Sequence, residues 1–212
     1  MAVNIKIVCL LSVLLLMGCA TAKDYTKFNA ANPRSILVVP VVNRSLDVTA
    51  PDYFLSTIPI PIAEHGYYVF PVNMVKRILE DEGLSDADMV HNAQASKLCS
   101  LFGSDAVMYI SIETWDAKYA LFSTKVTVAL NYLIKDGKTG DVLWEQHEKA
   151  TYTPQSSNTG SPLGNLIAAA VTAAATKAAP NYIPLARQAN KEALKYPGPG
   201  FPAGPYIEQT NQ

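Results

Sequence analysis

The chain has 212 residues, of which 49% are hydrophobic and 17% charged, and its formal net charge at pH 7 is −1. This length fits one domain with extensions, and the apolar content suffices for a packed core, which excludes wholesale disorder. The charge balance lacks the basic excess that nucleic-acid binding requires. Three cysteines are too few for a disulfide scaffold.

The first nineteen residues have the features of a bacterial lipoprotein signal. Lys6 precedes an apolar run over residues 7–17, which is too short for a membrane-spanning helix of roughly 20 residues and typical of a signal peptide. The run ends in Leu-Met-Gly-Cys, which resembles a lipobox. The small residue Gly18 would admit the signal peptidase, and the thiol of Cys19 is the group that can be alkylated. A plain secretory peptide with a coincidental cysteine is the alternative.

The lipobox resemblance implies that residues 1–18 are removed and that Cys19 carries palmitate-type acyl chains. Two or more such chains give lasting membrane attachment. In enterobacterial lipoproteins an aspartate after the cysteine favours inner-membrane retention, so Ala20 predicts sorting to the outer membrane, on its periplasmic face. Residues 19–34 are predicted to be a lipidated tether, because they are polar and lack periodicity.

Residues 35–195 are predicted to form the globular domain, and residues 196–212 form a Pro/Gly-rich tail whose aromatic side chains pack against the domain. Pro40 implies an edge or a bulge in the first strand, and Asn73 is expected to cap a helix. The predicted strands span 35–42, 67–72, 106–115, 125–135 and 142–152. The predicted helices span 74–82, 86–102, 163–179 and 184–195, and residues 52–64 are expected to hold a helix or helical turns broken by Pro59 and Pro61.

The resulting order is β-α-β-α-α-β-β-β-α-α. Two crossovers followed by a meander predict an α/β (α+β) fold, in which helices pack on a mixed sheet of about five strands. The turn between the last two strands falls at residues 136–140, whose sequence DGKTG is typical of a hairpin.

Three segments carry a resemblance to a known group of envelope proteins. The segments ILVVPVVNRS, LFGSDAVMYISIETW and KDGKTGDVLWE resemble the domain shared by the curli-secretion channel CsgG, the N-terminal domain of TolB, and LpoB. The segment PIAEHGYYVFPV resembles, more particularly, the small outer-membrane lipoprotein family first described as a neisserial genome-derived antigen. This resemblance covers residues 35–206.

The resemblance implies a membrane-anchored protein that acts by binding partners in an envelope assembly or secretion complex. The implied partners are a CsgG-like lipoprotein and another small envelope lipoprotein, with a homo-oligomer as a further option. The chain lacks an obvious long amphipathic insertion, which argues against a pore-forming role. The alternatives are a small-ligand or peptidoglycan-binding module, which an aromatic-lined pocket would favour, and a regulator of cell-wall synthesis.

No sequence pattern predicts catalysis, a metal or a cofactor. The chain has no Gly-rich phosphate loop, GxSxG, HExxH or CxxC. His65, His91 and His147 lie in different predicted elements without metal-ligand spacing. Cys99 is interpreted as a buried inert thiol, with an intermolecular disulfide as the alternative. The two tryptophans, Trp115 and Trp144, are placed on adjacent strands of the meander, where they serve the core or a recognition surface.

The helix predicted at 163–179 has an unusual composition, LGNLIAAAVTAAATKAA. Alanine gives high helix propensity but little apolar burial, so this helix can approach a neighbour closely. The first interpretation is a helix packed closely on the sheet. The alternative is that one small-residue face mediates self-association or docking. The candidate interface residues are Gly164, Ala168, Ala169, Ala170, Thr172, Ala173 and Ala174.

Overall fold

The computed structural model describes residues 23–120, 123–152, 182–195 and 200–207. Its helices are α1 (Thr26–Ala31), α2 (Ala50–Leu55), α3 (Pro59–Glu64), α4 (Val72–Asp81), α5 (Ala87–Asn92), α6 (Ala95–Phe102) and α7 (Ile183–Ala193). Its strands are β1 (Ser35–Val38), β2 (Val42–Asn43), β3 (Tyr68–Val69), β4 (Ala106–Ala120), β5 (Ser123–Asp136) and β6 (Val142–Tyr152).

The strands form one mixed sheet in the order β3-β1-β4-β5-β6, and β2 also pairs with β4. The pairs β1–β3, β1–β4 and β2–β4 are parallel, whereas β4–β5 and β5–β6 are antiparallel. Parallel pairing requires crossover connections, which α2 to α6 supply, and the antiparallel strands follow one another as a meander. The predicted α/β fold with a mixed sheet is therefore confirmed.

Both faces of the central strands are buried, as the continuous apolar run of the first strand predicts. Ile36 and Met108 belong to a large core that contains side chains of α1, α2 and α7, whereas Leu37 and Val107 belong to a second core. That second core contains side chains of α4, α5 and α6. The two sets of helices thus cover opposite faces of the sheet.

Two prolines mark the ends of secondary-structure elements: Pro40 in the first strand and Pro59 at the start of α3. Pro40 interrupts the first strand, so that it is split into β1 and β2, and both halves lie beside β4. The segment 52–64 holds two short helices, and Pro51 and Pro59 lie in their first turns. The expectation that Pro61 breaks the helix is wrong, because Pro61 also lies in the first turn of α3. The first turn of a helix tolerates proline because N–H groups in that turn have no acceptor within the helix, so the missing N–H of proline costs no hydrogen bond.

Two helix boundaries differ from the prediction. Helix α4 begins at Val72, so Asn73 lies inside it, and the N-cap residue Pro71 makes no side-chain capping bond. The helix predicted at 86–102 is divided into α5 and α6, because the backbone of Ala93 is extended. Asp86 caps α5 by accepting a hydrogen bond from the Met89 N–H at 3.0 Å.

The segment predicted to be a tether differs most from the structure. Residues 26–31 form α1, and Phe28 of this helix is only 3% exposed within the large core. Its ring meets those of Tyr67 and Phe201 edge-on, with centroid distances of 6.3 Å and 5.6 Å. One buried aromatic side chain in an otherwise polar segment is too weak a pattern to read from sequence, yet it makes this segment part of the domain.

Within the described ranges, no helix is both long and apolar enough to cross a membrane.

Candidate functional site

The first described residues are fixed against strand β6. The ammonium group of Lys23 donates to the backbone carbonyl of Glu145 and, at 3.0 Å, to Gln146 Oε1. It also lies 4.7 Å from the ring centroid of Trp144. Partial burial lowers the pKa of Lys23, and the nearby Glu145 carboxylate opposes that shift. Lys23, which lies four residues after Cys19, therefore has a defined place on the domain.

The C-terminal tail is fixed at the same place. The carbonyl of Gly200 accepts hydrogen bonds from the Tyr25 hydroxyl at 2.6 Å and from Trp144 Nε1 at 3.2 Å. The fully buried ring of Phe201 lies 5.2 Å from that of Trp144 and 4.9 Å from that of Tyr67. The prediction that aromatic side chains pack the tail onto the domain therefore agrees with the structure over residues 200–207.

The backbone of Gly66 helps to hold this tail. Its carbonyl accepts from the Tyr206 N–H at 3.0 Å, while the carbonyl of His65 accepts from the Gly204 N–H at 2.7 Å. Gly66 has φ +82°, and a Cβ at this position would collide with the backbone of Ile207. A glycine is therefore required both by the backbone conformation and by the close approach of the tail.

A cavity of about 470 Å³ lies between α3 and α7. Three cationic side chains one turn apart, Arg187, Lys191 and Lys195, line it from the α7 side, and Glu64 lines it from α3. Its apolar lining is Ile60, Pro61 and Leu194. Thr57 and His65 complete the lining. The cavity thus combines an apolar floor with an excess of positive charge.

A hydrogen-bonded polar row crosses three strands on the sheet face opposite α7. Ser111, Asn131 and His147 are direct cross-strand neighbours on β4, β5 and β6. The carboxylate of Glu113 accepts from Ser111 Oγ and from Asn131 Nδ2, each at 2.9 Å. The amide oxygen of Asn131 accepts from His147 Nδ1. Glu113 reaches this row because it is the extra residue of a β-bulge in β4.

The three histidines have separate contacts. His65 Nδ1 contacts the Pro61 carbonyl oxygen at 2.7 Å, whereas His91 Nε2 contacts the Pro40 carbonyl oxygen at 3.0 Å. His147 belongs to the polar row. No group of three metal-ligating side chains occurs among the residues that the structure describes.

The remaining singled-out side chains serve the core. Cys99 is free and 4% exposed, and burial raises the pKa of its thiol. Trp115 and Trp144 are both buried, but the prediction that they lie on adjacent strands is wrong, because β5 separates β4 from β6. Their contacts differ accordingly: Trp115 packs against Tyr182 and Trp144 against Phe201.

Several predicted site residues lie outside the described ranges. These are Gly18, Cys19 and Ala20 at the N-terminus, and the candidate interface residues Gly164, Ala168, Ala169, Ala170, Thr172, Ala173 and Ala174. Sequence reasoning in turn missed the cationic stripe of α7. Its signal was the spacing of Arg187 and Lys191, which places both on one face of α7, with Lys195 two residues beyond the end of the helix.

Comparison with known proteins places the chain in a family. Residues 23–206 match the family described as "Putative lipoprotein GNA1162-like". The chain belongs to the GNA1162-like lipoprotein family. The match begins at Lys23.

Individual relatives agree with this assignment. The protein "Putative lipoprotein NMB1124/NMB1162" from Neisseria meningitidis serogroup B is 36% identical over 166 residues, which cover 76% of this chain and 77% of the relative. The crystal structure of lipoprotein GNA1162 from Neisseria meningitidis covers 68% of this chain and 100% of its own, with 33% identity and a TM-score of 0.57. The C-terminal domain of LpoB from Salmonella enterica is more distant, with 21% identity over 66% of this chain and a TM-score of 0.40. The resemblance to the neisserial antigen family is confirmed.

Proposed function

We propose that this GNA1162-like protein is a lipid-anchored, non-enzymatic component of an envelope assembly. It is acylated at Cys19, after cleavage following Gly18, and faces the periplasm from the outer membrane. It acts by binding a CsgG-like lipoprotein and another small envelope lipoprotein. The observation that carries this proposal is the fixing of Lys23 on β6 a few residues after the lipobox, because it couples a membrane anchor directly to the folded domain.

Acylation is tested by metabolic labelling with an alkyne fatty acid. The wild-type chain is expected to carry the label and Cys19→Ser to lose it, because the thiol is the acyl acceptor. A labelled Cys19→Ser protein contradicts the proposal. Membrane fractionation on a sucrose gradient tests sorting, and in enterobacteria Ala20→Asp is expected to move the protein towards the inner membrane.

The alanine-rich segment is the proposed protein interface. Ala169→Glu with Ala173→Glu probes one face of the helix predicted from the sequence, and Ala170→Glu with Ala174→Glu probes the next. We expect one pair to abolish self-association or co-purification with the CsgG-like partner while the melting temperature stays unchanged. Light scattering and crosslinking in the native envelope measure assembly. If every substitution either unfolds the domain or leaves assembly intact, this segment is a core element.

A small-ligand or peptidoglycan-binding role, or a role in regulating cell-wall synthesis, is the alternative. An aromatic-lined pocket would favour ligand binding, but among the described residues that line the cavity between α3 and α7 only His65 has an aromatic ring. The lining of this cavity instead carries an excess of positive charge.

A further inference from the structure

The distance between the acylated residue and the domain is limited by chain length. Cys19 and Lys23 are four residues apart, and an extended chain of that length spans at most about 14 Å. Lys23 itself is fixed by its contacts with β6 and Trp144. When Cys19 is inserted in a bilayer, the surface around Lys23 is therefore held next to the lipid headgroups.

The cavity between α3 and α7 belongs to the same end of the domain. Trp144, on which Lys23 lies, donates a hydrogen bond to the Gly200 carbonyl. Gly200 in turn packs against the backbone of Lys195, which lines the cavity. Phe201 connects the same two places, because its ring contacts both Trp144 and His65.

The charges of this cavity suit an anionic surface. Arg187, Lys191 and Lys195 are all exposed and line it together, against the single carboxylate of Glu64. Arg187 and Lys191 make no ion pair within the part of the chain that the structure describes. Lys195 Nζ lies 4.0 Å from Glu192 Oε2, and such an exposed ion pair contributes little to stability. This stripe stands out in a chain whose net charge is −1.

Apolar groups lie beside these cations. Ile60 is 59% exposed at the cavity, and the partly exposed Pro61 contributes further apolar surface, whereas Leu194 is buried. An apolar strip bordered by lysine and arginine is the pattern of surfaces that lie in the interface of an anionic bilayer.

We propose that the anchor-proximal surface, formed by Lys23, Ile60, Arg187, Lys191 and Lys195, lies on the anionic headgroups of the bilayer that holds the acyl chains. This inference rests on the proposed acylation for its orientation, but the affinity of the surface for anionic lipid is independent of acylation. The domain thereby turns the opposite face, with α4 and α6, away from the membrane.

Vesicle flotation tests the surface without the anchor. The probe is the entire mature chain with Cys19→Ser, mixed with phosphatidylcholine vesicles that contain or lack phosphatidylglycerol. We expect binding that requires phosphatidylglycerol and weakens with salt. Arg187→Gln with Lys191→Gln should lower the partition coefficient by about tenfold or more, because each cation near such a surface contributes roughly fivefold.

A matched control makes the same change in net charge on the sheet face opposite α7. Arg77→Gln with Lys97→Gln alters α4 and α6, which belong to the second core, and should leave the partition coefficient unchanged. Circular dichroism verifies that both double variants fold. Equal losses in the two variants, or binding that is indifferent to phosphatidylglycerol, would overturn the proposal.

The orientation is tested on the lipidated protein in the same vesicles. A fluorophore at Lys191→Cys should be quenched by nitroxide-labelled headgroups more strongly than one at Lys97→Cys, and the buried Cys99 does not compete for the label. Equal or stronger quenching at position 97 overturns the orientation. Failure of the acylation proposal is recognised separately, because the wild-type chain would then carry no fatty-acid label in the metabolic labelling experiment.

Discussion

The hydroxyl of Tyr132 donates a hydrogen bond to Asn190 Oδ1 at 2.7 Å, and both side chains are buried. Asn190 Nδ2 donates in turn to Thr57 Oγ1 at 2.9 Å, and that hydroxyl donates to the Phe54 carbonyl at 2.6 Å. Burial raises the pKa of Tyr132 well above its usual value. This chain of buried hydrogen bonds joins β5, α7 and α2, which are far apart in sequence.

Removing the hydroxyl of Tyr132 should destabilise the domain more than its size suggests. In Tyr132→Phe the buried Asn190 Oδ1 loses its donor, so we expect the free energy of unfolding to fall by about 1–3 kcal/mol. Urea denaturation of the mature chain measures the change. Tyr53→Phe, at an exposed tyrosine, is the control and should stay within about 0.5 kcal/mol of the wild type. Equal effects of the two would contradict a structural role for the bond.

Phe28 should be required for stability although it precedes the first strand. Phe28→Ala removes a buried ring from the large core, which is expected to cost about 3–5 kcal/mol. Thermal unfolding should remain one cooperative transition at a lower midpoint. The control is Asn29→Ala on the exposed side of α1. If Phe28→Ala melts like the wild type, residues 26–31 do not belong to the core.

The sheet could be predicted from the sequence because its strands have strong local patterns. Alternating apolar residues and the turn sequence DGKTG fix β5 and β6, and the run of β-branched residues predicts β1. Local patterns do not report which elements meet. The order β3-β1-β4 is therefore known from the structure alone, whereas the position of β5 between the strands of Trp115 and Trp144 already follows from the predicted meander.

The anchor-proximal surface was harder to predict, because local patterns do not report which elements meet. Arg187 and Lys191 are recognisable as one helix face, but their proximity to Ile60 depends on how α7 packs against α3. The place of Lys23 on β6 depends on contacts with Trp144, Glu145 and Gln146, which lie more than 120 residues further along the chain and leave no local pattern. The sequence thus predicts an anchor motif but not the anchor-proximal surface proposed from the structure.

His91 should make stability depend on pH. Burial lowers its pKa, and this outweighs the opposing influence of the Pro40 carbonyl and of Asp88. Because the unfolded chain binds the proton more tightly, stability is retained above the unfolded pKa of about 6.5 and decreases as the pH falls below it.

We test this with His91→Gln, which can still donate towards the Pro40 carbonyl but does not bind a proton in this range. Urea midpoints measured at about pH 7.5 and about pH 5.5 should differ less for His91→Gln than for the wild type. An identical pH dependence of the two proteins would show that other groups cause it.

Cys99 should be unreactive in the folded protein. Its side chain is buried and its pKa is raised by that burial, so little of the nucleophilic thiolate is present at neutral pH. In mature Cys19→Ser protein, reaction with Ellman's reagent should be slow in buffer and fast in urea. Fast reaction of the native protein, or a dimer on a non-reducing gel, would support the intermolecular disulfide instead.

The two glycines of the β5–β6 turn should differ in how they tolerate a methyl group. A Cβ on Gly137 would lie 2.5 Å from Cys99 Sγ and 2.6 Å from the Asp105 carbonyl oxygen, so the turn would have to move. Gly137 also donates its N–H to that carbonyl at 2.8 Å, which limits the movement. Gly140 has open space around it, and its constraint is a φ of +76°.

We expect Gly140→Ala to cost about 1–2 kcal/mol, the usual penalty of the left-handed conformation. Gly137→Ala should cost about 1–3 kcal/mol through overpacking, and part of that loss should disappear in a Cys99→Ala background. Cys99→Ala should leave the cost of Gly140→Ala unchanged, since that position has no neighbour within 4 Å. Urea denaturation of the single and double variants measures the coupling. Strict additivity of Gly137→Ala with Cys99→Ala would mean that the Asp105 carbonyl alone opposes the methyl group.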